Sequence, residues 1–444
     1  MNDAASVMND QSPRVLLVLM AKVMAADAGN LLIRSQFGDW PRDRLAQIYA
    51  SGDPAGQGDF CGRSYRLQAG DRLLGSIFQR LRSTVTRMVA LSTVEARERD
   101  SRAGFPTLIA RIMKQHVGNW LIRSGLWEVI FHVRVSREMA EFIENFAPDV
   151  IYCQGYSLGF AELPVLIARR FNLPICFQTM DDWPDYTYRR SPIGWLLRRS
   201  TRELVAKANA RLAFGDQMRR CFDDRYGVAF QATYHLDEPS RFFPEPGWTT
   251  SEECRIVYTG SLGLRRFEAV QDLVMAVRTI GPGPVPFKIV VYSAGVPTDL
   301  PRFLLDAPEV ALLPLPSHEE LPAVLASASV LFLPESFTVP RSQIALSIST
   351  KAHLYIMSGR PVLAYGPPYS GTVRYAVEGG WAATVTERSR TILADALLRV
   401  ASDASVRAAL SRNARICAMT HHDLRTGRAR FRSLVVSHTE RREC

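Results

Sequence analysis

The stretch VYTGSLGLRRF, Val257 to Phe267, closes an apolar run with Gly260, Ser261, Leu262 and Gly263 and then presents Arg265 and Arg266. A strand that turns through such a loop into a helix leaves backbone N–H groups at the helix N-terminus, where the macrodipole and a guanidinium favour an anion such as phosphate. Two glycines three apart also make a plain tight turn, so the motif acquires meaning only from its surroundings. A second group of chemistry-bearing side chains lies in TMDDWPD, where Asp181, Asp182 and Asp185 follow another apolar run. Crowded carboxylates raise one another's pKa, which suits a group that orients a hydroxyl or accepts its proton. Capping of a helix is the competing role for the same aspartates.

Other chemistries find no support. The eight histidines have no metal-ligand spacing, and the adjacent His421 and His422 are expected to point apart on a helix. GNLLIRSQFG lacks the dinucleotide fingerprint, and no G-x-S-x-G marks a serine hydrolase. The seven cysteines are odd in number, scattered and without C-x-x-C, which argues against a disulfide framework and for a reducing compartment. A net charge of +10 calls for an anionic partner, yet no nucleic-acid recognition motif is present. The acidic N-terminus and the short apolar stretch after it, interrupted by Lys22, predict a cytoplasmic protein or one held only at a membrane surface.

The elements that must carry these residues are apolar runs typical of strands buried on both faces: RVLLVLM, DVIYCQG, LPICFQTMDD, ARLAFGD, RIVYTGS, FKIVVYSAG, SVLFLPES and RPVLAYG. Helical patterns alternate with them, which predicts βαβ units with sites at the carboxyl ends of the strands. With 444 residues the chain accommodates two such domains. The Pro-rich, aperiodic segment from Leu236 to Cys254 reads as their linker, with a boundary near residue 245. The domains are then 1–245, with a helical insertion at about 81–145, and 246–420, followed by a C-terminal helix in 421–444 packing back on the first domain. Within the insertion, residues 108–121 form an amphipathic pattern with Trp120 and a basic polar face. It suits a surface helix packed on its own domain or an interfacial membrane helix.

In order and spacing, PDVIYCQGYSLGFAELPVLIARRFNLPICFQTMDDWPD, ANARLAFGDQMRRCFDDRYG, VYTGSLG, VYSAG, SHEELPAVLASASVLFLPES and STKAHLYIMSGRPVLAYGP make the sequence resemble the GT-B glycosyltransferases. The resemblance is greatest to the family 4 type that builds bacterial surface polysaccharides. It implies an α/β protein of two Rossmann-like, doubly wound parallel-sheet domains facing across a cleft. The second domain would hold a nucleotide-sugar donor (a UDP-, GDP- or dTDP-sugar), used as substrate with no cofactor and no metal, and the first a glycan or lipid-linked acceptor. The donor side implied is Gly260, Ser261, Leu262, Gly263, Arg265, Arg266, Ser293, Glu335, Ser336, Thr350 and Lys351. The acceptor side is Gly38, Asp39, Gln154 and Asp185, with Asp181, Asp182 and Glu335 as candidate catalytic groups. Arg265 or Arg266 with Lys351 would neutralise the departing diphosphate. A solvated lysine at a helix start is the alternative for Lys351.

The sequence departs from the family where acids are usual. Leu354 occupies the position of the ribose-binding Glu and Leu346 that of a Glu near the donor sugar. A retaining glycosyltransferase is the reading implied; a non-catalytic nucleotide-sugar or glycan binder and a nucleotide-sugar epimerase are the alternatives. Arg189, Arg190, Arg198 and Arg199 around Trp195 suit contact with an anionic membrane on the inner face of the cell, or a solvated basic face.

Overall fold

The computed structural model describes residues 12–24, 30–51, 59–72, 125, 128, 132–189, 191–242, 253–283, 286–295 and 300–437. The boundary near residue 245, the pattern at 108–121 and Arg190 lie outside them.

Two wholly parallel sheets organise the chain. Strands β1 (Val15–Ala21), β2 (Leu45–Ser51), β3 (Arg63–Arg66), β4 (Val150–Cys153), β5 (Ile175–Thr179), β6 (Ala210–Phe214) and β7 (Gln231–Thr233) form the first, in the order β3-β2-β1-β4-β5-β6-β7. Strands β8 (Cys254–Thr259), β9 (Phe287–Ser293), β10 (Val310–Pro314), β11 (Val330–Pro334), β12 (Val362–Tyr365) and β13 (Ala382–Val385) form the second, in the order β10-β9-β8-β11-β12-β13. Each order reverses once, between β1 and β4 and between β8 and β11. Ligands of doubly wound sheets enter at such a reversal, beyond the carboxyl ends of the strands.

Helices cover both faces, which is why β1, β4 and β11 are apolar throughout. In the first domain they are α1 (Leu31–Phe37), α2 (Arg137–Phe146), α3 (Leu158–Phe171), α4 (Trp183–Tyr186), α5 (Pro192–Lys207) and α6 (Asp216–Tyr226). Their ends obey local rules. Ser136, Ser157 and Ser191 cap α2, α3 and α5 by accepting bonds from Met139, Phe160 and Gly194, and α3 stops at Asn172 in the left-handed region. In the second domain come α7 (Arg266–Ile280), α8 (Arg302–Leu305), α9 (Leu321–Ala326), α10 (Arg341–Ile344), α11 (Thr350–Ser358), α12 (Gly371–Gly379), α13 (Arg390–Ser402) and α14 (Ala404–Cys417).

The chain crosses between the sheets twice. After β7 it leaves through Tyr234 to Phe242, and after α14 it returns through a π-turn, Ala418–His422, into α15 (Leu424–Val436). The two crossings bond to each other: Asp237 N donates to His422 O at 2.9 Å and Leu424 N to Asp237 O at 3.0 Å. The π-turn overturns one expectation. Widening the helix by one residue brings the rings of His421 and His422 to the same partner, Tyr375 Oη, at 3.0 and 2.9 Å. Beyond the crossing, α15 lies against α1, with Phe431 edge-on to Phe37 at 4.9 Å.

Candidate functional site

At the β8/β11 reversal the loop after β8 turns sharply. Gly260 sits at φ +138°, and Leu264 and Arg265 follow at +52° and +56°. Left-handed backbone costs a non-glycine residue about 1–2 kcal/mol, and strain of this kind gathers at functional sites. Ser261 Oγ accepts from Gly263 N at 3.0 Å, and Tyr258 Oη donates to Ser261 O. Leu262 turns inward and is buried.

The unusual turn separates the two arginines. Arg265, at the helix boundary, is exposed and pairs with Glu268, whereas Arg266 points inward to within 3.4 Å of Glu335 at the end of β11. Glu335 is buried and accepts from Thr372 Oγ1 at 2.8 Å; Thr372 in turn accepts from Ser349 N at 2.9 Å. One residue past Ser349, α11 begins, and its Lys351 reaches across Gly260 with Nζ 5.6 Å from the centre of the Tyr258 ring. Burial pushes the Lys351 ammonium down to about 8, with Arg266 adding to the effect and Glu335 opposing it. The result is a cationic pair, Lys351 and Arg266, over a glycine turn, with one buried carboxylate between the elements.

From the facing domain, Asp181 and Asp182 follow β5. Ser347 Oγ donates to Asp181 Oδ1 across the cleft, so the two domains touch at this carboxylate. Burial raises the Asp181 pKa; the Ser347 bond lowers it and the charge of Asp182 raises it further. Asp182 is held otherwise: Arg225 grips both its oxygens, at 2.5 and 2.7 Å. Asp185 lines the cavity between the domains, and Gln154 lies just beyond β4.

Several sequence candidates stand apart from this group. Gly38 and Asp39 follow the far end of α1, at the amino-terminal edge of the sheet, because α1 runs back after β1; Trp40 Nε1 there donates to Pro13 O at 2.9 Å. They meet α15 instead of the cleft: Arg432 pairs with Asp39 at 3.3 Å, and a Cβ on Gly38 would strike Arg428. Ser336 caps its own loop by accepting from Thr338 N and Val339 N, and Ser293 donates to Gly295 O. Thr350 is exposed at the start of α11.

Thr372 and Ser347 escaped the sequence reading. A signal for Thr372 existed, since GPPYSGT repeats after β12 the pattern of strand, glycine and helix seen after β8. Ser347 had none, because its partner comes from the other domain. Leu354 packs against the apolar core of the second domain, and Leu346 and Ile348 reach across to the core of the first.

The fold is the GT-B fold, two parallel-sheet domains that meet at a cleft. Residues 74–233 match the family model described as glycosyl transferase 4-like domain. Among solved structures, the chain is similar to HepE of Anabaena in complex with UDP and glucose (12% identity, 96% of this chain and 100% of HepE covered, TM-score 0.60). It is similar also to a sucrose-phosphate synthase of Thermosynechococcus elongatus (13%, 96% and 98%, 0.59). A third similar structure is WaaG, a glycosyltransferase involved in lipopolysaccharide biosynthesis (12%, 95% and 99%, 0.52). No curated protein sequence matches the chain.

Proposed function

We propose that the protein transfers a sugar from a nucleoside-diphosphate sugar to a hydroxyl of a glycan or lipid-linked acceptor. The observation that carries this reading is Lys351 lying over Gly260 beside Arg266 at the β8/β11 reversal. In the reaction the bond between the anomeric carbon and the diphosphate oxygen breaks, a bond to the acceptor oxygen forms, and the acceptor hydroxyl loses its proton. The diphosphate gains negative charge, which Lys351 and Arg266 neutralise with no step assigned to a metal. Asp181, raised in pKa and at the domain contact, is the group suited to orient the acceptor hydroxyl. Retention of configuration follows from the family 4 resemblance.

UDP is the first nucleotide to try, since HepE was solved with UDP and with UDP-glucose. WaaG, involved in lipopolysaccharide biosynthesis, supports a role in surface polysaccharide synthesis; work on the inner face of the cytoplasmic membrane is the location this reading assigns. Among the described residues no helix is long and apolar enough to cross a membrane. Surface contact would use α5, where Trp195 is 55% exposed and Arg199 lies 5.6 Å over its ring. Anionic vesicles should sediment the protein at low salt and release it at high salt.

A non-catalytic binder is the second reading, favoured by Leu354 packed into the core where the family has its ribose-binding acid. Calorimetric titration with UDP, GDP and dTDP and their sugars, followed by a turnover assay with acceptor, separates the two. Binding with turnover supports transfer; binding without turnover of any donor supports the second reading; no binding of any nucleotide or its sugar removes transfer and leaves the second reading only as a glycan binder.

A further inference from the structure

Between the two domains lies a cavity of about 570 Å³, large enough for a sugar or a disaccharide. It holds none of the donor-side residues around Gly260 and Lys351. Five arginines line it: Arg189, Arg220 and Arg225 from the first domain, Arg341 and Arg374 from the second. Only three acids, Asp182, Asp185 and Glu378, share its wall.

The acids do not use up the arginines. Asp182 is committed to Arg225, and Glu378 contacts Arg220 at 3.4 Å. Among the described residues Arg189, Arg341 and Arg374 have no carboxylate partner. Arg374 donates to Ala345 O while its Nε is buried without a partner, and Arg341 rests on the Tyr369 ring at 5.3 Å. Glu378 acts on Arg374 only at a distance, without an ion pair, so the cavity keeps more guanidinium than carboxylate charge, and guanidinium forks match the geometry of phosphate or carboxylate.

We propose that this cavity receives the acceptor and that the acceptor is anionic, carrying a phosphate or carboxylate that Arg341 and Arg374 clasp, with Arg189 at the rim. The proposal rests on the transferase reading for the word acceptor, but not for the binding itself. It places the anion beside Leu346, one residue from the Ser347 that touches Asp181, so a sugar hydroxyl on the same molecule comes within reach of that carboxylate. A lipid-linked sugar phosphate and an acidic glycan share this chemistry.

The test is calorimetric titration of the full chain with glucose 6-phosphate, glucuronate and glucose, each with and without UDP. The charged sugars should bind at least about tenfold more tightly than glucose, and Arg341→Gln with Arg374→Gln should remove that margin. UDP affinity should stay unchanged in the double variant. Preference for glucose 6-phosphate points to a phosphorylated acceptor and preference for glucuronate to an acidic glycan. Equal binding of glucose, or an undiminished preference in the double variant, overturns the proposal. So does displacement of glucose 6-phosphate by UDP, which would give these arginines to the donor. Should the double variant not fold, Arg341→Gln alone, on an exposed position, must weaken the charged sugars. Failure of UDP, GDP and dTDP alike to bind, with arginine-dependent glucose 6-phosphate binding intact, would sink the transferase reading and leave the cavity's assignment standing.

Discussion

Lys351 occupies the space that a side chain at residue 260 would need: a Cβ built on Gly260 falls 2.0 Å from Lys351 Cε. The glycine is thus required twice, by its φ of +138° and by the lysine lying across it. Gly260→Ala should displace Lys351 and weaken UDP binding without removing any charge. Lys351→Met and Arg266→Gln should each weaken it about tenfold or more, the worth of a charge-assisted contact to phosphate. Arg265→Gln should change it little, since Arg265 turns outward to Glu268. Titration calorimetry on the four variants checks the ranking.

The depressed Lys351 pKa predicts a pH signature. Its ordinary value is 10.5 and its value in the folded protein about 8, so between these pH values the unfolded chain holds a proton that the folded one has lost. Stability contributed by this group therefore rises with pH across that window and is constant below it. A bound diphosphate reverses the shift by stabilising the ammonium. UDP binding near pH 9 should take up a proton, seen as a binding enthalpy that depends on the buffer, and affinity should fall about tenfold per pH unit above 8. Lys351→Met should abolish the uptake.

The neighbouring aspartates should separate function from stability. Asp181→Asn keeps the Ser347 contact as an amide but removes the carboxylate, so transfer should slow about a hundredfold or more with UDP affinity unchanged. Asp182→Asn strips Arg225 of a bidentate partner, which should lower unfolding free energy by about 2 kcal/mol. Steady-state kinetics and urea denaturation of both variants test the division.

Much of the frame was legible in the sequence because buried parallel strands write continuous apolar runs. Each of the eight runs, from RVLLVLM to RPVLAYG, contains a strand. The missed strands are the outer ones and β2. RSYR of β3 is mostly exposed, and QAT of β7 is three residues long, so neither carries a strong apolar signal. In the site, the approach of Arg266 to Glu335 could not be told from that of Arg265, because a two-residue left-handed turn by Leu264 and Arg265 decides it and neither residue type favours that backbone. Contacts between distant segments, such as Ser347 with Asp181 and Arg432 with Asp39, leave no local trace at all.

The C-terminal helix gives a prediction of the same long-range kind. Phe431 is 3% exposed and sits edge-on to Phe37 at 4.9 Å and Tyr152 at 6.2 Å, while Arg432 covers the Trp40 ring at 4.6 Å. These contacts fasten α15, which follows the second domain in the chain, to the first domain. Truncating a buried phenylalanine costs about 3–5 kcal/mol, more than the flanking polar contacts can hold against. Phe431→Ala should therefore free α15, exposing Arg425, Arg428, Arg430 and Arg432 to trypsin and lowering the resistance of the first domain to urea. UDP affinity should remain within about twofold of the parent, because Gly260, Arg266 and Lys351 belong to the domain of the other sheet, away from the first-domain surface that α15 covers. A variant that keeps its C-terminus through trypsin digestion would show that the aromatic cluster is not what fastens the helix.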